Sequence, residues 1–232
     1  MPAAQPPFKL TREAILGDSI RALVQAADPG IRLPTPEEHR ASIAGSLAKR
    51  PDGGGDVWLF GYGSLIWNPL IFYEEKRVAT VKGYHRCFCL WSHMGRGTTK
   101  KPGLMLGLER GGSCRGVAYR IAEAQAGQEL EVVWRREMLT GAYAPQWLRV
   151  ESAEGRFHAI AFRVNRKHIR YAGQLLEERI IATIAEATGP LGACATYLFN
   201  TVKHLEELGI HDARLICLRD QVAAKMGRAA TD

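Results

Sequence analysis

The sequence predicts an α+β fold, a mostly antiparallel small β-barrel or sheet with C-terminal packing helices. Three observations predict it. Short apolar or alternating runs crowd residues 57–164, with Gly, Pro, Asn or Ser in most of the gaps. A single helical pattern is inserted among them, so the crossover helices that a parallel sheet needs are missing. From residue 173 onward, apolar positions recur instead at three- and four-residue spacing.

Taken in order, residues 1–55 read as an N-terminal appendage, part helical and part flexible. A Pro-rich start leads into a helix near Thr11–Ala27, with Ile15, Ile20, Leu23 and Val24 roughly on one face. Asp28-Pro29-Gly30 stops it, and Pro34 to Glu38 reads as another turn or helix start. Pro51-Asp52-Gly53-Gly54-Gly55 reads as a hinge, after which a domain is expected over 56–226. Its strands are expected at Val57–Tyr62, Arg77–Lys82, His85–Trp91, Leu104–Glu109, Cys114–Ile121, Trp147–Glu151 and Phe157–Val164. Glu109 to Ser113, with two glycines, is expected to be a hairpin connection. The inserted helix is expected at about Ala122–Leu139. Three more follow at Gly173–Thr188, Cys194–Leu208 and Asp212–Met226, with Gly209 where a C′ glycine belongs and Asp212 where an N-cap belongs.

Composition narrows the function. With 232 residues and 46% hydrophobic content, the chain can bury a core without disulfides or metal. No run approaches the roughly 18 uninterrupted apolar residues of a membrane span. The start of the chain lacks the apolar stretch of a signal peptide, so a cytoplasmic protein is expected. The 31 Lys and Arg outnumber the 24 Asp and Glu, but no dense basic block forms, which argues against nucleic acid as the partner. Five cysteines include no CxxC pair; Cys87 and Cys89 would share one face of a strand, a poor disulfide geometry. The seven histidines show no ligand spacing. Neither a metal nor a cofactor is expected, and the partner is expected to be a small molecule.

Two segments carry candidate chemistry. Phe60-Gly-Tyr-Gly-Ser-Leu-Ile-Trp67 ends a hydrophobic strand in two glycines and a serine. Such an ending can turn several N–H groups outward as an anion-binding nest, or it can be a bulge or tight turn. The dinucleotide fingerprint is excluded, because the third glycine and the following helix are absent. The second segment holds Glu137, which falls at i+7 from Leu130 on the stripe that includes Val133 and Trp134. A carboxylate on an apolar stripe has the tunable pKa of a general base; the plainer alternative is a helix-end glutamate paired with Arg135 or Arg136. Ser92–Gly103 is a polar basic loop, which either closes over an anionic ligand or is simply mobile.

Together these segments resemble the ChaC family of γ-glutamylcyclotransferases. The resemblance rests on VWLFGYGSLIWNP (57–69), KGYHRCF (82–88), GRGTTKKPGLML (95–106), GGSCRGVAYRI (111–121), WRREMLTGAY (134–143) and YLFNTVKHLEELGIHDARL (197–215), in the family's order. Residues 1–55 lie outside it. The resemblance implies the γ-glutamylcyclotransferase-like small-barrel fold and cleavage of glutathione to 5-oxoproline and cysteinylglycine. It implies Glu137 as catalytic residue and Tyr62, Gly63, Ser64 and Leu65 as the substrate loop. Arg86 and Tyr143 match less specific positions expected to line the pocket. Asn68 stands where a lysine often follows Ile-Trp, and Thr99-Lys100 where Pro-Glu often stands; neither is expected to touch the chemistry.

The implied reaction suits the residues available. A γ-glutamyl substrate brings its own nucleophile, the α-amine, so no cysteine or serine nucleophile is needed. Glu137 would take the amine's proton and return one to the leaving group. Two alternatives stay open at this point. One is a cyclotransferase for another γ-glutamyl peptide or γ-glutamylamine; the other is a noncatalytic regulatory binding protein of cation transport, using the appendage and the +7 charge as a partner surface.

Overall fold

The computed structural model describes residues 8–229; the Pro-rich start of the chain lies outside them. Three helices open the chain: α1 (Arg12–Leu16), α2 (Ser19–Ala27) and α3 (Pro36–Leu47). The expected first helix is thus two, because Asp18 adopts a left-handed conformation after Gly17 and breaks the run. Thr35 and Glu38 form a reciprocal capping box that fixes the start of α3.

Five strands then make a closed barrel: β1 (Val57–Gly61), β2 (Glu75–Ser92), β3 (Gly103–Ile121), β4 (Tyr143–Ser152) and β5 (Gly155–Val164). Their order is β1-β3-β2-β4-β5, antiparallel between these neighbours, and β5 closes the ring against β1 in parallel at Leu59↔Ile160 and Phe60↔Ala161. Closure removes the free edges that five strands would otherwise expose.

The hairpin expected at Glu109–Ser113 does not form. β3 runs straight through those residues, and β2 runs through Gly83, so four expected strands are two long bent ones. The pairing shifts between Lys82 and Tyr84, where Gly83, Gly111 and Gly112 all have positive φ. These glycines allow the paired strands to bulge and bend together, where a turn had been expected. The true connection between β2 and β3 is the Ser92–Gly103 loop.

Helix α4 (Ala126–Glu137) packs on the barrel, followed by α5 (Glu177–Glu186), the two-residue strands β6 (Thr188–Gly189) and β7 (Gly192–Ala193), α6 (Cys194–Glu207) and α7 (Ala213–Ala229). Leu130, Val133 and Trp134 of α4 are buried, as their stripe predicts. Gly209 has φ +67° after α6, and Asp212 Oδ1 accepts the Leu215 N–H at the start of α7. No described helix is long and apolar enough to cross a membrane.

The N-terminal helices share this core. Ile15 and Ile43 are buried in the cluster that holds the barrel, while Val24 and Leu33 pack with Met94 and Leu139. Arg12 clamps Glu129 of α4 through two hydrogen bonds of 2.6 and 2.8 Å, and Trp134 Nε1 donates to Ser42 of α3.

Candidate active site

The site forms where β1 runs out beside the last turn of α4. After Gly61 the chain passes Tyr62 and Gly63 into a single tight turn over Ser64–Ile66. Gly61 and Gly63 are needed here because other groups come close. A Cβ on Gly61 would lie 2.9 Å from Leu65 Cβ, and one on Gly63 would lie 2.8 Å from the Tyr197 hydroxyl. Among the described residues, the N–H groups of Gly63, Ser64 and Leu65 have no acceptor. The segment is thus a tight turn, and its three neighbouring free donors are placed where they can meet an anion.

Glu137 ends α4 and enters the same cavity as Tyr62, Gly63, Ser64, Leu65 and Tyr143. Its side chain is only 14% exposed, and burial raises its pKa despite Arg136, whose Nε lies 2.9 Å from its carboxylate. Its place in the last turn of a helix acts in the same direction. Glu137 therefore lies on the apolar stripe and also has an arginine partner.

The sequence offers Arg136 only as a partner of Glu137, whereas the structure has it tie the site together. Besides Glu137, its guanidinium donates to Ser64 Oγ at 2.7 Å and to the Asn68 carbonyl. The N-terminal segment reaches Asn68 too, since Asn68 Nδ2 donates to the Leu10 carbonyl at 3.2 Å. The departure at Asn68 thus lies nearer the chemistry than expected.

Tyr197 of α6 was not singled out from the sequence. It lines the cavity with Glu137, and burial, above all, holds its phenol and those of Tyr62 and Tyr143 well above the ordinary range; the Glu137 charge adds to this in each, after a neighbouring tyrosine in the case of Tyr62 and Tyr143. Tyr62 donates to the Phe162 carbonyl at 2.6 Å and Tyr143 to the Leu106 carbonyl at 2.7 Å. These neutral phenols make a fixed wall.

Arg86 is not in the cavity wall. It is buried behind the loop, where Nη1 donates to the Tyr62 carbonyl at 2.7 Å and Nε pairs with Asp212 at 3.0 Å. Burial of a guanidinium requires such partners, and the core side of the loop supplies them. The consequence reaches the site, because a trans peptide holds its C=O and N–H in opposite directions. Fixing the Tyr62 carbonyl therefore fixes the Gly63 N–H.

The innermost cavity is about 20 Å³ and opens to a cleft of about 420 Å³ that shares Ser64, Glu137, Tyr143 and Tyr197. Volumes of the cleft's size suit a small molecule. No cysteine lines the cavity or the cleft among the described residues, and burial pushes the Cys194 thiol up to about 11 and raises Cys114 too.

The ChaC-like protein family matches residues 57–225. Among similar proteins, the glutathione-specific γ-glutamylcyclotransferase of Escherichia coli K12 is 42% identical over 204 residues, covering 88% of this chain and 87% of that protein. The human glutathione-specific γ-glutamylcyclotransferase 1 is 28% identical over 200 residues, covering 83% and 90%. A crystal structure of a yeast γ-glutamylcyclotransferase specific to glutathione shares the fold, with TM-score 0.67 at 20% identity over 74% of this chain and 97% of that one.

Proposed function

The chain belongs to the ChaC-like family, and from that premise we propose that it cleaves glutathione to 5-oxoproline and cysteinylglycine. The observation that carries the reading is Glu137, a buried carboxylate of raised pKa in one cavity with three unpartnered N–H groups. The names of the relatives support the same substrate.

In the proposed reaction the glutamyl α-amine attacks its own γ-carbonyl. The C–N bond of the lactam forms and the C–N bond to cysteine breaks, with no water consumed. The substrate ammonium gives up two protons in all, one before attack and one as the ring forms; the departing nitrogen gains two. Glu137 takes the first as general base and, once protonated, donates to the leaving amine. A raised pKa suits both halves, since it brings the carboxyl closer to working pH.

The Gly63, Ser64 and Leu65 N–H groups would hold the substrate carboxylate or the developing oxyanion. If the latter, each donor is worth about 3–4 kcal/mol of barrier. Arg136, bound to Glu137, Ser64 and the Asn68 carbonyl, keeps base and loop in register. The buried tyrosines hold the glutamyl arm folded, which supplies the entropic part of the rate. The proposed compartment is the cytoplasm, which the five free cysteines support.

The test is mass spectrometry of purified protein incubated with glutathione. Release of 5-oxoproline and cysteinylglycine in equal amounts is expected. Release from other γ-glutamyl compounds but not from glutathione would move the substrate and keep the chemistry. No release from any would leave the regulatory alternative.

A further inference from the structure

The Ser92–Gly103 loop is neither free nor used by the reaction as described. Its backbone is locked into place by glycines on both sides. A Cβ on Gly97 would lie 2.0 Å from Gly103 N, and one on Gly189 would lie 2.3 Å from the Gly95 carbonyl oxygen. Leu191 N–H donates to the Gly95 carbonyl at 2.9 Å, and Arg96 N–H donates to Ser92 Oγ at 2.9 Å. What this framework presents is the Arg96 side chain. It lies over the Tyr197 ring at 5.7 Å and lines the 420 Å³ cleft with Glu137.

Among the described residues, no carboxylate lies within ion-pair distance of Arg96, and its nearest acceptor is the Ala193 carbonyl at 3.5 Å. Arg136, by contrast, is engaged with Glu137, Ser64 and Asn68. Across the cleft, Phe8, Lys9 and Leu10 of the N-terminal segment complete the wall, held by the Phe8 N–H bond to the Pro190 carbonyl at 2.7 Å. Lys9 also has no carboxylate partner among the described residues. Neither Arg96 nor Lys9 lines the innermost cavity where the loop N–H groups gather.

We propose that Arg96 and Lys9 form a leaving-group subsite that binds the terminal carboxylate of the substrate's peptide arm. The inference rests on the reaction proposed above. A glutathione-like substrate bears a carboxylate at each end. The reacting end, with the carboxylate beside its amine, belongs at Glu137 and the loop in the inner cavity, which leaves the distal carboxylate for the outer cleft. A half-buried guanidinium with free donors is a specific receptor for it. The N-terminal segment, outside the family match, thereby contributes to selection of the leaving group.

The test measures 5-oxoproline release from glutathione and from its glycyl monoethyl ester, which lacks only the distal charge. Wild type is expected to favour the acid over the ester by roughly tenfold in kcat/KM, the scale of one charge-assisted bond. Arg96→Ala should lose about tenfold on glutathione through KM, with kcat within about twofold, and change little on the ester. Arg96→Lys should recover part of the loss, and Lys9→Ala should weaken glutathione more than the ester. Equal loss on both substrates would overturn the subsite, as would a wild type indifferent to the ester. Arg170 lines a neighbouring pocket that also reaches Glu137 and Tyr143, and acid-selective loss in Arg170→Ala but not in Arg96→Ala would overturn the subsite too. The wild-type comparison stands even where a variant fails to fold. A wild type that releases 5-oxoproline from neither substrate would sink the reaction itself, and the subsite with it.

Discussion

In the proposed reaction Glu137 must lose a proton to work, and burial raises its pKa against the pull of Arg136. Two consequences come from the one raised pKa. As pH falls through the raised pKa, the base is protonated, so kcat/KM should fall with an acid limb above the ordinary glutamate range. Because the folded pKa is raised, the stability this carboxyl contributes is full below its unfolded pKa and is lost as pH rises through the folded one. Glu137→Gln should therefore match wild type in thermal midpoint at acid pH and gain on it at alkaline pH, while turnover drops at least about a hundredfold. Melts at several pH values beside rate profiles check both, and a Glu137→Gln variant that gains no stability over wild type as pH rises would contradict the raised pKa. Gly63→Ala tests the loop by packing. The new Cβ meets the Tyr197 hydroxyl, so activity should fall, and adding Tyr197→Phe should restore thermal stability in part. The glycines and Glu137 were legible because their chemistry shows in local pattern. Tyr197, the role of Arg86 and the reach of Arg136 to Ser64 and Asn68 were not, because each depends on contacts between segments far apart in the chain.

At the scale of elements, the Arg12–Glu129 clamp is the buried ion pair among the ties of the N-terminal segment. Glu129 is 3% exposed and is satisfied by Arg12 and the Phe72 N–H. Arg12→Leu would leave that carboxylate short of its partner, at a cost of about 3 kcal/mol or more. Chemical denaturation should show the loss, and the KM for glutathione should rise as the Phe8–Leu10 wall loosens. Helix spans were read well because a 3.6-residue stripe marks its own length, as on α4 and α6. The β2–β3 pair was misread because Gly111 and Gly112 signal both a turn and a bulge. Only the facing Gly83, supplied by another strand, decides between them.

For the molecule as a whole, the barrel and its helices followed from periodicity, whereas the placing of residues 8–55 did not. No local pattern says that Ile15 and Ile43 belong to the barrel's core or that Leu10 hydrogen-bonds Asn68. With the core shared, unfolding should be one cooperative transition, with near- and far-ultraviolet signals changing together. A separate early transition for the N-terminal helices would contradict the shared core. The most direct test of the central claim is product analysis by mass spectrometry with wild type and Glu137→Gln side by side on glutathione. Equal release of 5-oxoproline and cysteinylglycine by wild type, and almost none by a folded Glu137→Gln, is the predicted result. Comparable release by both proteins would contradict Glu137 as the base, and release by neither would contradict the reaction.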